Sequence, residues 1–407
     1  MKRLFLIAAL AVVPCLAQDR LTAAGAVNRA LESHPALEAA ERQIAVFEGS
    51  RRQAGMARNP TFTFQQENIR SVPIDGVSYW SWTDTFAFLE QPIETGGKRS
   101  RRKESAAIDV QRARLRVELL RKRIAGEVKL AYWEAAGRSR VHGQLLQSAD
   151  NFLLMVDYHR VRVREGAMAE ADLLRIQLES ERLNLAANNA LLEFEQAKIR
   201  LFLAMGQTEI PERLAFDGLD LPEAAVEAVA DPQQALANRS EMKLSRLEVE
   251  AAQAEVRLAQ ANARPDVGVI AGYKRSAGYN TLLAGVQMDL PLFDRQQGSV
   301  SAATARIAAL RAELESTAAV VRAEVAVAEK GRRLRRLQIV NSLRPMLKQA
   351  SESAAIAEAA YREGGADLLR LLDAERLRIE TETLYCQALA EYRRSAAELE
   401  IAMGLEP

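Results

Sequence analysis

The chain has 407 residues and a net charge of +1, with 27% charged and only 5% aromatic side chains. Such balance excludes a polyanion-binding surface built on bulk charge, so nucleic acid is not an expected partner. Scarce aromatics beside abundant Ala, Leu, Arg and Glu favour long helices and coiled coils over one broad globular core.

Residues 1–17 read as a secretory signal peptide. Lys2 and Arg3 precede the apolar run Leu4–Val13, which is too short to span a bilayer, and Cys15-Leu16-Ala17 offers a small-residue cleavage site. A lipid-modified Cys15 is the rival reading, although Val12-Val13-Pro14 matches a lipoprotein signal poorly. Cleavage leaves Cys386 as the sole cysteine, so no intrachain disulfide is expected. No later run is long and apolar enough for a transmembrane helix.

The mature chain reads as one layout used twice, over 18–206 and 233–407, with 207–232 as a Pro-containing linker. Ala30–Pro60 align without a gap to Ala235–Pro265, Pro92 matches Pro291, Arg164-Glu165-Gly166 matches Arg362-Glu363-Gly364, and Ala204-Met205-Gly206 matches Ala402-Met403-Gly404. In the first repeat a helix over Ala36–Ala57 ends before Pro60, and strands are expected over 61–69 and 79–91. A helix over 98–164 and a return helix over 169–205 follow. The second repeat has a helix over Glu241–Ala263, strands over 266–274 and 280–290, a helix over 298–362 and a return helix over 366–403. Each strand has about the length of a tilted membrane-spanning strand, and each first helix is roughly 100 Å long. Heptad seams run through Val110, Ala113, Val117, Leu120, Ile124, Val128, Ala131 and Ala135, and through Leu173, Ile176, Ser180, Leu183, Ala187, Ala190, Phe194, Ala197, Leu201 and Ala204.

Two strand-to-helix switches organise the chain. Pro92 ends a strand ladder and Gly96-Gly97 permit the redirection; Pro291 and Gly298 stand at the matching places. Period two places Trp80, Trp82, Phe86 and Phe88 on one side of the second strand. Lys98, Arg99, Arg101, Arg102 and Lys103 crowd a helix start, where cations oppose the helix dipole. They are either a solvated charge run or wait for a compensating partner such as lipid phosphates.

Four membrane-length strands cannot close a barrel, and an open edge is intolerable in lipid. The chain therefore needs copies of itself, and three would supply twelve strands. The export signal, the duplicated unit and the motifs Gln91-Pro92-Ile93-Glu94-Thr95-Gly96-Gly97-Lys98-Arg99 and Pro291-Leu292-Phe293-Asp294-Arg295-Gln296-Gln297-Gly298 resemble the TolC family of outer-membrane efflux proteins. They are most similar to the branch serving heavy-metal (cobalt-zinc-cadmium type) resistance-nodulation-division (RND) pumps. The resemblance implies a membrane α+β fold. A homotrimeric, TolC-like transmembrane β-barrel would stand in outer-membrane lipid, above a periplasmic α-helical coiled-coil barrel. It also implies a passive exit duct that docks on a periplasmic adaptor and an inner-membrane RND pump. A type I secretion or drug-efflux duct of the same fold remains open, and a periplasmic adaptor is the reading from another class.

The resemblance implies adaptor-contacting tips at Arg164, Glu165, Gly166, Arg362, Glu363 and Gly364, although a glycine helix cap alone accounts for those residues. It implies a periplasmic gate at Tyr361, Asp367, Arg370 and Asp373, where threefold symmetry turns inward side chains into rings. The plainer alternative is a solvated helix face with local Asp–Arg pairs. Phe62, Phe64, Trp80, Trp82, Phe86, Phe88 and Tyr273 are candidates for a lipid-facing belt. His34, His142 and His159 lack metal-ligand spacing, and no catalytic constellation or phosphate loop appears. No enzyme activity, cofactor or resident metal is expected.

Overall fold

The structure is a computed structural model that describes residues 19–70, 72, 75–222 and 230–405. The signal peptide and Cys15 lie outside the described residues. Strand β1 (Asp19–Leu21) leads into helices α1 (Ala23–Ser33) and α2 (Pro35–Ala54). Thr22 caps α1 through the Gly25 N–H, and Pro35 occupies the first turn of α2, where a missing N–H costs nothing. Then come β2 (Thr61–Glu67), the single turn α3 (Tyr79–Trp82) and β3 (Asp84–Ile93). Helices α4 (Lys98–Arg164) and α5 (Glu170–Ala204) complete this half.

The second half repeats the order after β4 (Leu214–Phe216): α6 (Pro232–Asn238), α7 (Ser240–Asn262), β5 (Val267–Ser276) and β6 (Tyr279–Met288). Next are α8 (Gln297–Gln338), α9 (Arg344–Arg362) and α10 (Leu368–Met403), with the π-helical segment Ile339–Leu343 joining α8 to α9. Pro345, in the first turn of α9, has no N–H for the carbonyl of Asn341, so the ladder of this long helix is interrupted where α4 is continuous. Ile339 and Leu343 at the interruption are buried with Leu221, Leu389 and Tyr392.

The segment read as a linker does more than connect. Its β4 pairs in parallel with β1. Buried Tyr132 of α4 ties both ends, donating its hydroxyl to the Leu21 carbonyl (2.7 Å) and accepting from the Asp217 N–H (3.0 Å). Burial pushes its phenol up to about 12.

Strands β2, β3, β5 and β6 form an antiparallel sheet in that order. Trp80 and Trp82 are not on a strand. The ladder ends at the Glu67–Asp84 pair, and the unpaired residues beyond it close as one helical turn, with the Thr83 N–H donating to the Tyr79 carbonyl. The tight turn between β5 and β6 places Ala277 and Gly278 at positive φ (49° and 82°).

All four helix connections leave the same end of the sheet. At the first switch Gly96 takes the left-handed conformation (φ 68°), which favours glycine, and a Cβ there would also crowd the Ala261 carbonyl at 3.1 Å. The second switch differs from expectation: Gln296 takes the left-handed conformation (φ 57°), its N–H held by Asp294 Oδ1 at 2.8 Å, while Gly298 lies inside α8 with ordinary φ.

Three members of the basic run at the start of α4, Lys98, Arg101 and Arg102, have acidic partners within the chain. Lys98 is buried against Asp266 (2.7 Å), Arg102 grips both carboxylate oxygens of Glu94, and Arg58 reaches Glu94 and Asp266. Arg102's hydrogen bonds hold the Glu94 carboxyl below its ordinary 4.5, against the opposing effect of burial. A depressed carboxylate stabilises the fold above its unfolded pKa and loses that contribution as pH falls through the folded value. Acidification below about 4.5 is therefore expected to loosen the strand-to-helix junction. Glu94→Gln should flatten that pH dependence of thermal unfolding.

Candidate functional site

Pairing across the sheet settles which side chains share a face. On one face lie Phe62 and Phe64 of β2, Ala87, Leu89 and Ile93 of β3, Val267, Val269, Ala271 and Tyr273 of β5, and Leu282, Ala284, Val286 and Met288 of β6. The face is apolar and uncovered: Phe62 is 64% exposed and Leu282 is 91% exposed. Gln91 is polar among these rows, and its amide donates to the carbonyls of Arg58 and Pro92. The opposite face carries Thr61, Thr63, Gln65, Glu67, Glu90, Lys274, Thr281 and Gln287.

Phe86 and Phe88 stand on this second, polar face, which corrects the expectation that they join Phe62, Phe64 and Tyr273 in one belt. Phe88 packs over Gly272, where an added Cβ would meet Phe88 Cβ at 2.3 Å, and Phe86 carries the Lys274 ammonium 5.2 Å from its ring centroid. Alternation within β3 was legible; which of its sides is apolar depends on β2 and β5.

The helices form one layer. Helix α4 packs on α5, α2, α7 and α10, α8 packs on α7 and α10, and α9 packs on α10. Helix α5 has no other extensive neighbour among the described residues, and its free side carries Leu178, Leu185, Leu192 and Ile199 at heptad spacing, with Leu178 71% exposed. At the other edge of the layer, Val320, Val327 and Leu334 of α8 repeat that spacing, with Val327 73% exposed.

The far ends of the helical hairpins close with one motif. Gly166 and Gly364 take positive φ (70° and 75°), and the next N–H bonds back to Arg162 and Ala360 respectively. Arg164, Glu165, Gly166, Arg362, Glu363 and Gly364 occupy these ends; Arg362 is paired with Glu358 of its own helix.

Of the four gate candidates, Asp367, Arg370 and Asp373 are exposed, and no ion pair links them among the described residues. Asp367 caps α10, accepting from the Arg370 N–H at 3.0 Å. Tyr361 turns instead toward the first hairpin: its hydroxyl donates to His159 Nε2 (2.8 Å), and His159 Nδ1–H donates to the Met155 carbonyl (2.7 Å). Burial lowers the His159 pKa, which favours the neutral ring that this pattern of donors requires. Nearby, Arg376 of α10 reaches Glu179 of α5 (3.0 Å), and the Gln144 amide donates to Glu382. His159, Arg376 and Gln144 were not singled out from sequence. The available signal was a histidine at a seam position, in step with Phe152, Met155, Val156 and Val163. Among the described residues, no cluster of three or more His, Cys, Asp and Glu side chains is arranged to hold a metal ion.

An apolar, barrel-length sheet set on long paired helices defines a TolC-like outer-membrane channel protomer. The same architecture recurs in the outer-membrane channel OprN (TM-score 0.77, 21% identity, 94% of this chain and 90% of that one) and in CusC (TM-score 0.78, 17% identity, 94% and 92%). The sequence pattern of the outer membrane efflux proteins matches residues 26–207 and 232–405, and the chain belongs to that family. Its sheet therefore stands in the outer membrane and its helices in the periplasm. Relatives include the cobalt-zinc-cadmium resistance protein CzcC of Cupriavidus metallidurans, 25% identical over 97% of this chain and 92% of that protein. The nickel and cobalt resistance protein CnrC of the same organism is 29% identical over 71% and 68%, respectively. The nickel-cobalt-cadmium resistance protein NccC of Alcaligenes xylosoxydans xylosoxydans is 26% identical, and the match spans 65% of each chain.

Proposed function

We propose that this chain is one protomer of a homotrimeric exit duct that carries heavy-metal cations out of the periplasm, passed on by an adaptor and an inner-membrane RND pump. The carrying observation is that both layers are open at both edges. Strands β2 and β6 each have one partner among the described residues, and α5 and α8 end the helical layer with uncovered heptad stripes. Three copies joined edge to edge give a twelve-stranded barrel, and the α5 stripe of one copy meets the α8 stripe of the next. The two halves of the chain act as repeats of one structural unit. The exposed hairpin ends meet the adaptor, and Asp367, Arg370 and Asp373, brought together by the threefold axis, ring the periplasmic mouth beside Tyr361. The cation class rests on the resistance proteins named above; a drug-efflux or type I secretion duct would share the architecture.

Single-channel conductance in planar bilayers tests the reading. The wild type is expected to give small, cation-biased openings. Asp367→Asn with Asp373→Asn, which removes charge and keeps the α10 cap, is expected to reduce that bias. Folded protein that never inserts would sink the duct. A cell lacking the protein that accumulates no more cobalt or zinc than its parent would overturn the cation assignment alone.

A further inference from the structure

The hairpin end of the sheet lies farthest from the helices and so reaches the outer leaflet. On the apolar face the β5 column runs Val267, Val269, Ala271, Tyr273, Arg275 from helix end to hairpin end. The last row across the sheet is Gln66, Thr85, Arg275, Asn280, in which Arg275 is the one charge. Apolar, aromatic and then cationic is the order met in passing from hydrocarbon to headgroup.

Two guanidiniums gather here on indole faces. Arg70 lies 4.2 Å from the Trp82 ring centroid and Arg275 lies 5.7 Å from that of Trp80. Stacking fixes the plane of a guanidinium and leaves its edge donors free. Arg275 Nε is itself buried, without a hydrogen-bond partner among the described residues, so the terminal amino groups are the edge a phosphate would meet. The contrast with the periplasmic end is sharp, where Arg58, Lys98 and Arg102 are all paired with Glu94 or Asp266. Glu67 and Asp84, the carboxylates that end the ladder, fall on the opposite face, and Asp84 accepts from Asn68 Nδ2 and the Ala277 N–H; exposed Asp75 lies in the connection beyond them.

We propose that Arg70 and Arg275, stacked on Trp82 and Trp80, bind the phosphate groups of outer-leaflet glycolipid; this rests on the outer-membrane reading. A guanidinium edge matches a phosphate in bidentate fashion. The apolar rows below Arg275, through Tyr273, Leu282 and Val286, offer acyl chains a continuous bed, which selects a lipid-borne phosphate over a free anion.

Native mass spectrometry of the detergent-solubilised protein, with diphosphoryl lipid A and its dephosphorylated form as probes, tests this. Wild type is expected to retain the phosphorylated form preferentially. Arg70→Gln with Arg275→Gln should lower that retention by roughly tenfold or more, as expected for the loss of charge-assisted hydrogen bonds. Arg275→Lys should keep part of it. Equal retention of both probes by wild type, or ready displacement of diphosphoryl lipid A by inorganic phosphate, would overturn the site, even where a variant fails to fold. The same preparations are run in planar bilayers. Conducting channels without phosphate preference sink this inference alone, whereas folded protein that does not insert sinks the duct reading.

Discussion

Leu185→Glu made together with Leu192→Glu is expected to turn a trimer into monomers and to abolish conductance. Both leucines lie on the free side of α5, 64% and 59% exposed. The seam facing α4 is separate, with Leu173, Ile176, Leu183, Ala187, Ala190, Ala197 and Leu201 buried. Each leucine covered in a trimer contributes about 1.5–3 kcal/mol. A carboxylate in its place must also be desolvated without a partner, which costs several kcal/mol more. Threefold symmetry repeats the penalty at every interface. Sedimentation in mild detergent checks the assembly, and circular dichroism checks that α4 and α5 remain paired. Trimers that survive both substitutions would show that α5 does not face a neighbouring copy.

The second large effect is expected at the hairpin ends. Tyr361→Phe combined with Arg376→Gln should raise single-channel conductance several-fold. These side chains make two of the links that tie the second hairpin to the first, through His159 and Glu179. The His159–Tyr361 bond is shielded, beside an apolar cluster of Val156, Leu173, Ile176, Leu368 and Leu371, so losing it leaves a buried ring nitrogen unsatisfied at about 1–3 kcal/mol. The Arg376–Glu179 pair is more exposed and contributes less. Glu179→Gln should reproduce the Arg376 effect, because either change breaks the same pair. Conductance unchanged in the double variant would mean that these links hold the resting shape without governing the opening.

Much of the architecture was legible because its signals are local. Proline marks both strand-to-helix switches and glycine turns the first, and sustained heptads mark the long helices. The buried side of α4 includes Val110, Ala113, Val117, Ile124, Val128 and Ala135 of the seam read from sequence. What escaped depends on partners distant in the chain. Trp80 and Trp82 fit a period-two pattern, yet β2 stops at Glu67 and offers them no ladder. Phe86 and Phe88 alternate as expected, but only the register against β5 shows that they share a side with Lys274 and Gly272. The β1–β4 pair joins segments almost the length of a repeat apart, and nothing in either three-residue strand announces the other. Of the gate candidates, Asp367 proved to have a local task as a helix cap, and Tyr361 has its partner on the other hairpin.

The interruption at Ile339–Leu343 makes the duplicated halves mechanically unequal. Helix α4 is a single continuous rod of 67 residues, and bending it must strain many hydrogen bonds a little. The α8–α9 rod already lacks a bond beside Pro345, so its curvature concentrates at one joint, seated on Leu221 of the segment between the halves. A sideways load on the hairpin ends is then shared unevenly. The first hairpin serves as the post and the second as the arm, although both descend from one pattern of residues.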